Sequence, residues 1–313
     1  MVKKINYRSS CYLCGGKKFT KLSVVKDYEY FTSTNEYIYY QCVNCDLVFL
    51  DNASELDLKI IYPKNYYSYL NRKSLFRQFL EKIKFFTDKF FFKSILKQIK
   101  KNKIDVLDVG GGTGFILDTF KDVDYRVNMT YEVDFDDKAG EIARSKGHNY
   151  IKSNIENCKI NIKFDVIIIF NLIEHVIDPV RVMKKLKKFS NKNSFILIKT
   201  PCTSSLNFKV FKKLYWGGYH APRHFFLFNK NNFGLLLNKS GFFNFKFHHT
   251  QGAPQWTYSI IGSFRKILKI NSKKNPTFLI SFLMLIFAFF DFALKKFFDT
   301  DQFFVIINNT DKK

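Results

Sequence analysis

Ten residues constrain the fold of this chain most tightly: Val106-Leu107-Asp108-Val109-Gly110-Gly111-Gly112-Thr113-Gly114-Phe115. A short apolar strand from Ile104 runs into a glycine-rich turn, and the turn opens a helix predicted over 115–121. Glycine permits positive φ and lets backbone amides approach a ligand closely. Such a loop sits at the carboxyl end of a parallel strand, where the crevice of an open α/β sheet lies. In a dinucleotide-binding loop the third glycine would fall at Phe115, whose ring crowds the space a pyrophosphate needs.

The same rhythm continues downstream. Residues 127–133 read as a second strand, and 136–146 as a helix closed by Gly147. Residues 164–170 are almost continuously apolar, as a parallel strand buried on both faces must be. Asp178-Pro179 supplies an N-cap and a proline at the first helical position. Strands follow at 195–199, 242–247 and 303–307, with a helix over 229–240 closed by Gly241. The alternation predicts an α/β protein with a doubly wound, mainly parallel sheet.

Residues 1–50 are different. Cys11-x-x-Cys14-Gly15 and Cys42-x-x-Cys45 are separated by 27 residues that include a strand-like aromatic stretch. Each x-x spacer brings two sulfurs to one ion, and four thiolates leave no open position, so the expected zinc is structural. A unit this small has little core of its own and needs such an ion to hold together. The predicted domains are a zinc ribbon (1–50), a helical, Tyr-rich connector (51–100) and an α/β domain (101–313). An apolar helical insertion is expected at about 255–300. Cys158 and Cys202 read as buried thiols.

The Asp-x-Gly-x-Gly-x-Gly loop resembles motif I of the class I S-adenosylmethionine-dependent methyltransferases. Phe164–Phe170 and the following Asn171-Leu172-Ile173-Glu174-His175 resemble the fourth-strand signature of small-molecule methyltransferases, with Asn171 in the first acidic place. The run Trp216-Gly217-Gly218-Tyr219-His220-Ala221-Pro222-Arg223-His224 resembles the His-x-Pro-Arg-His stretch of zinc-ribbon methyltransferases associated with surface-polysaccharide pathways.

The resemblance spans essentially the whole chain. It implies a Rossmann-like, seven-stranded class I sheet whose last strand is antiparallel, with S-adenosylmethionine as methyl donor. Asp108, Gly110, Gly112 and Gly114 would shape the cofactor loop. Either Glu132 or Asp134 would hold the ribose: spacing from the glycine loop favours Glu132, and spacing to Ala143-Arg144 favours Asp134. Asn154 stands where the family has an acid for the adenine amino group, and Asn171 also falls on the cofactor side. His175, His224 or His220 would be the base. Tyr66 and Arg223 would line the acceptor site, and an arginine there suits a phosphate-bearing small molecule such as a nucleotide-linked or lipid-linked sugar.

Composition adds partners to weigh. The net charge is +24, from 51 Lys and Arg against 27 Asp and Glu, with the lysines spread along the chain. An RNA methyltransferase would use that charge, but Asn171-Leu172-Ile173-Glu174 lacks the two prolines of the base-methylating motif. A non-catalytic binding module is the other rival; the loop glycines and the downstream acids speak against it. Residues 1–14 have no apolar core, which predicts a cytoplasmic protein without a signal peptide. Residues 276–290 carry no charge, and lysines flank them, so peripheral membrane contact is a further expectation.

Overall fold

The structure, a computed structural model, describes residues 9–51, 53, 89–250, 253–270, 277–294 and 298–310. Most of the connector expected at 51–100 lies outside these residues, Tyr66 included. Its described end forms a helix at 89–96, whose Phe92 ring stacks on Phe120 at 4.4 Å beneath the central sheet.

The ribbon consists of β1 (Phe19–Val25), β2 (Tyr37–Cys42) and β3 (Val48–Leu50), paired antiparallel in that order. The central sheet begins with β4 (Ile104–Val109), followed by β5 (Val127–Asp134), β6 (Asn149–Lys152), β7 (Phe164–Phe170) and β8 (Ser190–Pro201). Next comes β9 (Phe226–Leu227), which joins the ribbon instead: Val48 pairs with Leu227 and Phe49 with Phe226. The ribbon sheet is therefore completed by a segment nearly two hundred residues downstream.

β10 (Phe245–Thr250) and β11 (Gln302–Asn308) complete the central sheet, in the order β10-β11-β8-β7-β4-β5-β6. β11 runs antiparallel to both its neighbours, and the remaining described pairs are parallel. This is the class I order implied by the resemblance. β7 (Phe-Asp-Val-Ile-Ile-Ile-Phe) is buried along almost its whole length, because helices cover both sheet faces. The short β6 gives no signal in the sequence, being four residues long with no buried position. β8 also starts earlier than expected, at Ser190 instead of 195, with exposed polar residues in its first turn of chain.

Helix α1 (Phe115–Val123) follows the glycine loop, α2 (Asp137–Ser145) follows β5, and α3 (Pro179–Phe189) follows β7. Asp178 caps α3 through the Arg181 amide, as its sequence predicts. Between β10 and β11 lie two helices, Ala253–Ile267 and Thr277–Leu294, joined through the stacked rings of Trp256 and Phe287, 5.3 Å apart. Among the described residues no helix is long and apolar enough to cross a membrane.

Candidate active site

The four cysteines converge. Cys11 Sγ lies 3.6 Å from Cys45 Sγ, and Cys14 Sγ lies 3.6 Å from Cys42 Sγ. Sulfurs bound at about 2.3 Å around one tetrahedral ion would stand ~3.8 Å apart, so the donor set fits zinc without rearrangement. Each pair forms a tight knuckle: Gly15 and Asp46, the residues after the second cysteines, take φ of 73° and 59°. Amides fold back across both turns, Gly15 onto the Cys11 carbonyl and Asp46 onto the Cys42 carbonyl.

At the end of β4 the chain alternates into positive φ at Gly110, Gly112 and Gly114. A Cβ on Gly112 would meet nothing within 4 Å, so the loop leaves open space there. Gly111 is different: its Cβ would fall 2.1 Å from Asp108 Oδ2 and 2.5 Å from Glu132 Oε2. Both acids thus sit packed beneath the loop, and Glu132 Oε1 accepts the Gly111 amide at 2.7 Å. Burial, with the charge of Asp134 next, pushes Asp108 up to about 7. Burial and then the neighbouring Asp108 push Glu132 well above the usual carboxylate range. Two carboxyls so close cannot both ionise cheaply.

Asp134, partly exposed at the strand end, accepts the Gly112 amide at 3.2 Å and the Phe135 amide at 2.6 Å. Asn154, expected at the adenine, is exposed, and its Oδ1 accepts the Asn157 amide at 3.1 Å in its own turn. Asn171 Oδ1 accepts from Gln302 Nε2 at 3.0 Å, which ties the end of β7 to β11.

Beyond β7 the chain turns through Leu172, Glu174 and His175, and the Arg-His loop packs on this turn. The Phe225 amide donates to the Glu174 carbonyl at 2.7 Å. His175 Nδ1 faces the Arg223 carbonyl at 3.0 Å, and His224 Nδ1 the Gly218 carbonyl at 2.7 Å. The three histidines expected as base candidates come together: His175 to His224 is 4.6 Å between ring centroids, His220 to His224 5.0 Å, and His175 to His220 6.3 Å. Burial, with His220 next, lowers His175 to about 3; burial and then His175 hold His224 well below the ordinary imidazole range. His220 Nδ1 instead faces a carboxylate, Glu29 Oε2 at 2.7 Å, from the loop after β1.

Arg223, expected against the acceptor, packs towards the ribbon. Its side chain is fully buried, Nη2 lies 2.8 Å from Asp27 Oδ2, and the guanidinium lies over the Tyr30 ring at 4.5 Å. The charge is thus met inside the protein, between loop and ribbon. Burial pushes Asp27 up, but the Arg223 guanidinium, aided by Thr32 and Tyr30, holds it below the usual value.

A family described as "Methyltransferase domain" matches residues 73–246, more than half of the chain. The chain belongs to the methyltransferase-domain family. No curated protein sequence matches it. Among solved structures, a SAM-dependent methyltransferase from Archaeoglobus fulgidus is similar at 17% identity and a TM-score of 0.47, covering 75% of this chain and all of its own. A putative methyltransferase from Bacillus halodurans C-125 gives 16% identity and 0.48, covering 72% of this chain and 99% of its own. A possible histamine N-methyltransferase from Thermotoga maritima gives 17% and 0.42, with 74% and 97% covered.

Several residues packed around the histidine cluster are not marked as such by the sequence. Glu174 was visible only as half of a Glu-His pair; here it is fully buried, with Oε2 accepting the Thr200 hydroxyl at 2.9 Å. Asp27 and Glu29 had no signal at all, because their partners lie nearly two hundred residues away.

Proposed function

We propose that this methyltransferase moves a methyl group from S-adenosylmethionine to an oxygen or carbon of a small-molecule acceptor, a nucleotide-linked or lipid-linked sugar. One observation carries the reading: the open glycine loop and the histidine cluster abut. A Cβ on Gly110 would lie 3.2 Å from Leu172, in the turn that bears Glu174 and His175. Donor and acceptor sites at adjoining strand ends are what in-line transfer needs.

S-adenosylmethionine, when bound, supplies an electrophilic methyl on its sulfonium. The backbone of Gly110, Gly112 and Gly114 holds it in this reading, and Asp134 accepts the ribose hydroxyls, a pairing suited to a carboxylate. Glu132, sealed under the loop, braces Gly111 together with Asp108. His220 takes the acceptor proton in this reading: the Glu29 carboxylate at Nδ1 orients the ring. His175 and His224, whose basicity burial removes, wall the site. Cys11, Cys14, Cys42 and Cys45 hold a structural zinc that fixes the ribbon carrying Glu29.

With Arg223 paired to Asp27, support for a lipid-linked acceptor comes from elsewhere. Leu279, Phe282, Leu285, Ile286 and Phe289 are exposed on the helix Thr277–Leu294, an apolar surface suited to lying in a membrane interface. Transfer of labelled methyl to lipid-linked glycans or nucleotide sugars tests the proposal; label appearing in RNA and in neither sugar class contradicts it. Flotation with anionic vesicles, lost on Phe282→Glu with Phe289→Glu, tests the membrane contact.

A further inference from the structure

A second group of metal-competent side chains lies apart from the cysteines. One ligand atom from each of Glu174, His175 and His224 falls within 4.8 Å of the others. Glu174 is fully buried, yet its Oε1 makes no hydrogen bond, while Oε2 is held by Thr200. A buried carboxylate oxygen left without a partner is costly, and either a proton or a cation relieves it; burial raises Glu174 to about 8.

The histidines are set in one tautomer. A backbone carbonyl can only accept, so the contacts to the Arg223 and Gly218 carbonyls put the ring proton of His175 and His224 on Nδ1. The lone pair of each ring is then on Nε2. Metal-binding imidazoles are fixed in this way, with the non-ligating N–H on an outer carbonyl or carboxylate. His224 Nε2 and Glu174 Oε1 stand 3.9 Å apart, a gap one ion can bridge with bonds of about 2.0–2.2 Å.

We propose that Glu174, His175 and His224 bind a divalent first-row transition-metal ion through one carboxylate oxygen and two imidazole nitrogens. Water or an acceptor oxygen would fill its remaining positions, as in other sites of two histidines and one carboxylate. His220 stays outside this ligand set, beside it. The ion's service to an acceptor rests on the methyl-transfer reading; its binding does not.

The test uses the full chain carrying its cysteine-bound zinc, titrated with cobalt(II) chloride by calorimetry and visible absorption. We expect one further cobalt per chain, with weak visible bands and no thiolate charge-transfer band. Glu174→Gln and His224→Ala should abolish that event, and Thr200→Val should weaken it roughly tenfold. Far-UV circular dichroism and S-adenosylhomocysteine titration report whether each variant remains folded. A folded wild type that takes up no cobalt beyond the cysteine site overturns the proposal, as does wild-type affinity in Glu174→Gln. Cofactor binding without cobalt uptake sinks the metal site alone; cobalt uptake without cofactor binding sinks the donor reading alone.

Discussion

Asp27 and Arg223 form a fully buried ion pair, 2.8 Å between Oδ2 and Nη2, that fastens the zinc ribbon to the loop above the crevice. Around it, Tyr39 donates its hydroxyl to the Tyr219 and His224 carbonyls, and Glu29 faces His220. The ribbon is therefore packed against the histidine-bearing loop through buried polar contacts.

Removing one member of such a pair leaves a bare charge in the interior. Asp27→Ala should lower the unfolding free energy by roughly 3–5 kcal/mol, and Asp27→Asn with Arg223→Met should restore part of it. Denaturant melts of wild type, both single variants and the double variant measure this; a double loss equal to the sum of the single losses would mean that the pair is not coupled.

Cys11→Ser should remove one zinc per chain by elemental analysis and loosen the ribbon. Because β9 pairs with β3, hydrogen exchange should rise over 216–228 as well as over 19–50. Exchange confined to the ribbon would mean that the Arg-His loop stands without it.

His220→Ala should cut turnover about 10²–10⁴-fold while leaving S-adenosylhomocysteine affinity unchanged, the split expected of a proton acceptor. Glu29→Gln alters the partner that orients the ring at Nδ1, so it should lower kcat with little change in KM. Full activity in His220→Ala would move the role to another group.

The acids under the glycine loop give a pH signature. Asp108 is raised from 3.8 to about 7, so the folded chain holds a proton there that the unfolded chain releases. That contribution is complete below about pH 4 and is lost as pH rises to about 7. Asp108→Asn cannot ionise, so its stability relative to wild type should climb across that window, by a few kcal/mol at most. A pH-independent difference would place the buried charge elsewhere.

The fold was legible because its signals are local: β-branched strands, the glycine turn and the Asp178-Pro179 helix start each act within a few residues. The cysteine spacing likewise carries its own geometry. What stayed hidden depends on long-range partners. The Asp27 partner of Arg223 could not be read from the sequence, nor could the different burial of Glu132 and Asp134: two residues apart on β5, one is sealed under Gly111 and the other reaches the strand end.

The most direct measurement is calorimetric titration of the zinc-loaded chain with S-adenosylhomocysteine, beside Gly112→Asp and Asp134→Ala. Gly112 sits at φ 65° with open space above it, so an aspartate there both strains the turn and sets a charge in the cofactor's place. We expect wild-type binding on the order of micromolar, lost in both variants. A folded wild type that does not bind, or an Asp134→Ala variant that binds as tightly, would contradict the assignment of this crevice to the methyl donor.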